Sequence, residues 1–258
     1  MKLSIYWRIA ACAIFLFGCG AISAHAQILQ TGNPNIGPRP DFQQPRGNGQ
    51  DLQGTLPSLR SSGTNIIGRY PITSSMAVKA GNQSFKMNDY RNAYTWYSYA
   101  LKLDAKESQA HLGLGAVYTA LNHYDEAVKS YEQALALKPK MVEAQVGLGR
   151  AYFRGQLFEK AIGSFEQALV LKPKSVEAYL GIGDCYFTQK KYAEAVSNYQ
   201  KIMAFNAKSV EAHYSLGVTY LLMKDRAAAI EQGRILKSLN KETGAKFDNL
   251  LKQFDAQP

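Results

Sequence analysis

Few side chains in this sequence stand at the spacings that chemistry requires. Its four histidines, His25, His111, His123 and His213, lack Cys, Asp or Glu partners set as metal ligands. Gly113-Leu114-Gly115 and its copies at 147–149 and 181–183 contain a G-x-G, but each lies inside a predicted helix without the preceding strand a phosphate loop needs. Cys185 stands one residue before Tyr186 in a predicted helix and reads as a small buried apolar group rather than a nucleophile. No Ser/His/Asp or Cys/His arrangement stands out, so no catalytic residue, cofactor site or metal site is expected. The paired feature that remains is cationic. Arg150 and Arg154 lie four apart, on one helical face, and suit the carboxylate of a partner. The competing reading pairs Arg150 with Asp184, its equivalent 34 residues later.

The elements that must position these residues begin after about 70 residues of different character. Residues 1–26 combine Lys2 and Arg8, an apolar run from Ile9 to Ile22, and Ala24-His25-Ala26 before Gln27. That is the pattern of a secretory signal, too short in its apolar run for a lasting membrane span. A second possibility is lipidation at Cys19, because Leu16-Phe17-Gly18-Cys19 resembles the lipobox of bacterial lipoproteins, with a bulky Phe17. Either way the chain is expected outside the cytoplasm, with the periplasm favoured and a membrane involved only through lipidated Cys19.

Between Gln27 and Thr73, 26 of 47 residues are Gly, Pro, Gln, Asn or Ser, and six are prolines. Such a stretch buries too little apolar surface to offset its ordering entropy and is expected to be a disordered arm. As a coil it would span about 35–40 Å. The formal charge is +10, but the lysines are spread along the chain rather than gathered into a run. With export, this disfavours nucleic acid as a partner.

From residue 74 a period of 34 governs the chain. Tyr124-Asp125-Glu126-Ala127, Phe158-Glu159-Lys160-Ala161 and Tyr192-Ala193-Glu194-Ala195 are successive copies. Tyr131, Phe165 and Tyr199 follow in the same register, and Gly115, Gly149 and Gly183 precede it. Small residues at fixed places let two antiparallel helices approach closely while an aromatic fills the gap between them. Pro139 and Pro173 mark where helices must stop.

These residues resemble the tetratricopeptide repeat family, whose 34-residue unit carries this order of small and aromatic positions. The resemblance covers five units, 74–107, 108–141, 142–175, 176–209 and 210–243. The ends depart from it: Ser84 stands where later units have tyrosine, and Gly233 replaces the usual aromatic. Phe247, Leu250, Leu251 and Phe254 form an apolar stripe in 244–258, expected as a capping helix and tail. The implied fold is all-α, a right-handed α-solenoid of five hairpins whose inner groove is lined by the first helix of each.

Mapped by family position, the groove would carry Asn82, Phe85, Gln109, Leu112, Ala116, Thr119, Val146, Arg150, Phe153, Arg154, Leu180, Asp184, Phe187 and Tyr214. Asn82 fits the clamp of the family's chaperone-binding members, but Val78 replaces its lysine, Gly113 replaces its second asparagine and Glu143 reverses the next charge, so the resemblance implies no such clamp. The implied function is a protein-interaction scaffold of the bacterial envelope that binds a protein or peptide segment, without catalysis. Two alternatives are a lipoprotein aiding assembly of a pilus, secretion or polysaccharide-export machine, and a self-assembling structural protein whose arm docks in a neighbour.

Overall fold

The computed structural model describes residues 72–255; the stretches expected to be an export signal (1–26) and a disordered arm (27–73) lie outside them, except for residues 72 and 73. Eleven α-helices follow one another, with no strand among the described residues. The first helices of five successive hairpins are α1 (Ser74–Lys86), α3 (Ser108–Ala120), α5 (Val142–Arg154), α7 (Val176–Thr188) and α9 (Val210–Leu222). Their partners are α2 (Tyr90–Leu103), α4 (Tyr124–Leu137), α6 (Phe158–Leu171), α8 (Tyr192–Met203) and α10 (Arg226–Leu239), and α11 (Lys241–Asp255) ends the array. Each helix packs on its hairpin partner and on the next hairpin, which makes the chain a solenoid.

Local chemistry fixes where the helices begin and turn. Thr73, Ser175 and Ser209 accept the N–H groups of Met76, Ala178 and Ala212 with their hydroxyl oxygens, satisfying donors that the first helical turn leaves free. Within each hairpin the chain reverses through a residue of positive φ: Asn88, Asn122, Gln156, Lys190 and Lys224, at 59–63° and 34 residues apart. This left-handed residue lets the next amide reach back into the helix, as when His123 N–H donates to the Tyr118 carbonyl at 2.9 Å.

The core is a row of clusters strung along the stack rather than one ball. One aromatic per unit explains the glycines. Tyr97 lies against Gly81 of its own first helix and Gly113 of the next, Tyr131 against Gly115 and Gly147, and Phe165 against Gly149 and Gly181. A methyl group at Gly115 or Gly149 would stand 2.7 Å from the facing ring, so a side chain there forces ring and helices apart. Ala127, Ala161 and Ala195 are wholly buried on the second helices.

The fifth unit lacks that ring, and α11 supplies it from outside the repeat. Phe247 is wholly buried, 2.5 Å from where a methyl on Gly217 would sit and 3.1 Å from one on Gly233. The helix begins three residues earlier than the 244 boundary expected from its apolar stripe, because the Asn240 side chain accepts the Thr243 N–H at 2.9 Å. Gly244 permits the crossing with α10, since a methyl there would stand 2.6 Å from the Lys237 Cα. Arg226 with Asp255 and Lys237 with Asp248 tie the two helices at their surface.

Candidate functional site

Along the stack α1 touches α3, α3 touches α5 and α5 touches α7, whereas the second helices pack mainly on helices adjacent in the chain. Elements crowded on one side and spread on the other curve the array toward the crowded side, so the first helices form its inner wall. Of the fourteen side chains mapped to that wall, Asn82, Gln109 and Arg150 are exposed. Phe85, Leu112, Ala116, Thr119, Phe153, Arg154, Leu180 and Asp184 are half-buried.

Three of the fourteen belong to the core instead. Val146 (8% exposed) packs with Phe165 and Ile182, Phe187 (7%) packs on Tyr192, and Tyr214 (2%) is covered by Phe247 with ring centroids 5.7 Å apart. The aromatic members share a cause. Phe85, Phe153 and Phe187 each lean on the first residue of their own second helix, Tyr90, Phe158 and Tyr192, at 5.5–5.9 Å. These rings close their own hairpins, and only the partly exposed edges of Phe85 and Phe153 remain for contact. Leu112 and Leu180 are likewise packed on the core along one side.

The polar part of the wall is organised by two matching hydrogen bonds. The Tyr97 hydroxyl donates to Asn82 Oδ1 at 2.7 Å, and the Tyr199 hydroxyl donates to Asp184 Oδ1 at 2.7 Å. Each links the ninth residue of a unit to its buried ring 15 residues later. An asparagine or aspartate at that place with a tyrosine 15 on is a signal present in the sequence, and it identifies Tyr97 and Tyr199 as core rings whose hydroxyls anchor wall side chains. In the second unit the place holds Ala116, and the Tyr131 hydroxyl lies 3.5 Å from the Thr119 hydroxyl, which itself donates to the Gly115 carbonyl. In the third it holds Arg150, and the ring 15 residues on is Phe165, which has no hydroxyl.

The competing pairing of Arg150 with Asp184 does not form within 4.0 Å, and the carboxylate accepts instead from the Tyr199 hydroxyl. Burial pushes the Asp184 carboxyl up to about 6, against the lowering effects of the Tyr199 bond and the Arg150 charge. Burial and that carboxylate drive the Tyr199 phenol well above its ordinary value. Arg150 also acts on Glu177, whose pKa is lowered first by its backbone hydrogen bond, then by Ser175, Lys172 and Arg150. Glu177, at the second place of the fourth unit, is a further wall residue left out of the mapping. Arg154 faces the Tyr124 phenol, whose pKa burial raises and Arg154 lowers.

The remaining reactive groups have structural partners. Cys185 is wholly buried, and burial with nearby Asp184 and Glu159 pushes its thiol up to about 12. His111 Nε2 lies 3.4 Å from the Ala105 carbonyl and His213 Nε2 3.0 Å from that of Ala207, the same contact in two units. Among the described residues no group of three or more His, Cys, Asp or Glu could hold a metal ion, and no helix is long and apolar enough to cross a membrane.

Comparison with known proteins gives a consistent answer about the family. A tetratricopeptide repeat profile matches residues 78–139 and 117–175, and a second TPR repeat profile matches 183–224, together more than half of the chain. No curated protein matches the sequence. Among solved structures the chain is similar to TTC0263, a thermophilic TPR protein of Thermus thermophilus, at 18% identity and a TM-score of 0.60, over 69% of this chain and 99% of that one. It is similar to pilF of Pseudomonas aeruginosa at 16% identity and a TM-score of 0.60, over 70% and 90% of the two chains. It is also similar to YrrB, a TPR protein with an unusual peptide-binding site, at 22% identity and a TM-score of 0.52, over 68% and 92%. At these identities the likeness is one of fold.

Proposed function

The chain belongs to the tetratricopeptide repeat family, and on that premise we propose that it is an exported, non-enzymatic scaffold of the bacterial envelope that holds a segment of another protein against its first helices. The family fold is that of a protein–protein interaction scaffold. The observation that carries the finer reading is the inner wall: exposed Asn82, Gln109 and Arg150 alternate with half-buried Leu112, Phe153 and Leu180 on helices that touch along the stack. Polar groups set among partly exposed apolar ones suit an extended or helical peptide segment. Export rests on the signal pattern of residues 1–26. Mass spectrometry of the mature amino terminus separates the two destinations, with Gln27 first in a soluble periplasmic protein and a modified Cys19 first in an anchored one.

The test places a photo-crosslinking amino acid at Gln109 or Arg150 on the first helices, and at Lys129 or Glu166, exposed on second helices, in the native envelope. Discrete adducts from the first pair and none from the second are expected. Equal labelling from both faces, or none from the first helices, refutes the groove.

A further inference from the structure

The inner wall carries two cations that have no ionic partner among the described residues. Arg150 and Arg154 lie on the same face of α5, and neither has a carboxylate within 4.0 Å among the described residues. Like charges four apart on a helix repel, which opposes placing this pair on one face. Arg150 is exposed, while Arg154 is half-buried beside Tyr124, which steadies its guanidinium. The carboxylate standing at the equivalent place one unit on, Asp184, is close enough to feel the Arg150 charge but is turned to the Tyr199 hydroxyl at 2.7 Å. Facing Asp184 are Arg150 from α5 and Tyr199 from α8, with the Cys185 thiol beside it on α7 and Glu159 of α6 reaching that thiol.

We infer that Arg150 and Arg154 receive the carboxylates of an acidic peptide segment, and that Asp184 competes with that segment for the Arg150 charge. The inference rests on the groove reading above and specifies the chemistry of what the groove takes. A bound carboxylate gains two charge-assisted donors that are already held on one helix, without displacing an internal ion pair. The competitor is itself adjustable. The first unit makes the same ring-to-wall bond with neutral Asn82, so the fold does not need a charge at this place, and the aspartate adds only its field. Loss of that charge on acidification leaves Arg150 facing the guest with less opposition.

The experiment measures fluorescence anisotropy of a labelled, C-terminally amidated deca-aspartate with the full mature chain, at pH 7.5 and pH 5.3 and fixed ionic strength. Deca-asparagine is the neutral control. The expected pattern has three parts. Arg150→Gln with Arg154→Gln weakens binding about tenfold or more, as for lost hydrogen bonds to charged groups. Lys129→Gln with Lys252→Gln, the same charge change elsewhere, shifts it by less than about twofold. Asp184→Asn tightens binding about threefold at pH 7.5 and removes the tightening that wild type shows on going to pH 5.3. Every other titration, in the protein or in the peptide, is common to wild type and Asp184→Asn, so their difference isolates residue 184.

Absence of binding by wild type overturns the inference, as does an arginine double variant no weaker than the lysine one. An Asp184→Asn protein with unchanged affinity and pH response overturns the competitor role. Crosslinks from envelope partners to Gln109 alongside any of these failures leave the groove standing, whereas their loss removes the groove itself.

Discussion

Replacing Asp184 with asparagine should stabilise the protein at neutral pH, and the size of the gain should depend on pH in a defined direction. The carboxylate sits over a buried ring, and loss of hydration raises its pKa from an ordinary 3.8 to about 6 in spite of the Tyr199 bond and the Arg150 charge. Between those two values the folded protein holds a proton that the unfolded chain has released. Stability therefore falls as pH rises through this window and stays reduced above it. The full gap corresponds to about 3 kcal/mol, and partial exposure of the side chain reduces the expected effect to about 1–2 kcal/mol. Asparagine keeps an oxygen for the Tyr199 hydroxyl, as Asn82 does for Tyr97 at the same 2.7 Å. Urea denaturation of both proteins at several pH values from 3.5 to 7.5 provides the assay. The curves should coincide near pH 3.5, separate between pH 4 and 6, and hold a constant difference above pH 7, with the variant more stable. A variant that is less stable at pH 7.5, or a difference that does not change with pH, refutes burial of this charge as the cause.

Three other perturbations probe the packing. Phe247→Ala should cost about 3–5 kcal/mol, because the ring fills the space between Gly217 and Gly233. Hydrogen exchange should rise in α9–α11 and not in α1–α4; a uniform rise contradicts the one-dimensional core. Lys190→Asn should stabilise by about 0.5–1 kcal/mol, since the residue sits at φ 62° where asparagine is better tolerated than lysine, and an unchanged or lowered urea midpoint counts against strain at that turn. Cys185 should resist iodoacetamide at pH 8 in the native protein and react readily in urea, because it is wholly buried with its thiol pushed up to about 12; rapid native labelling would show that α7 opens.

The all-helical solenoid could be read from the sequence because a stride of 34 repeats every small residue that close helix approach requires. Gly113 and Gly147 have no freedom to vary once Tyr97 and Tyr131 occupy the space a methyl would need. Constraints of this kind, imposed by nearest neighbours in a periodic stack, leave their mark at fixed positions. Closure of the array is not periodic and left a weaker mark. The glycine at 233 marks a missing ring, and the apolar stripe of the last helix marks a cap, but that Phe247 fills the one from the other follows only from the geometry of α10 crossing α11.

The wall was legible in its helices and not in its surfaces, for a reason that also decides which residues can bind. Position in a repeat fixes the direction in which a side chain leaves the helix, but not whether a neighbour covers it. Phe187 leaves α7 toward the wall and is then taken up by Tyr192, and Tyr214 is taken up by a ring from outside the repeat. Long charged side chains escape this fate, because desolvating an unpaired guanidinium costs far more than leaving it in water. Arg150 therefore stays exposed on a surface where the aromatics have been drawn inward. A wall so built has shallow apolar edges and two arginines at its third unit. Its selectivity should then follow the guest's charge more than its hydrophobicity, which makes the salt dependence of binding a stronger discriminator between guests than any single apolar substitution.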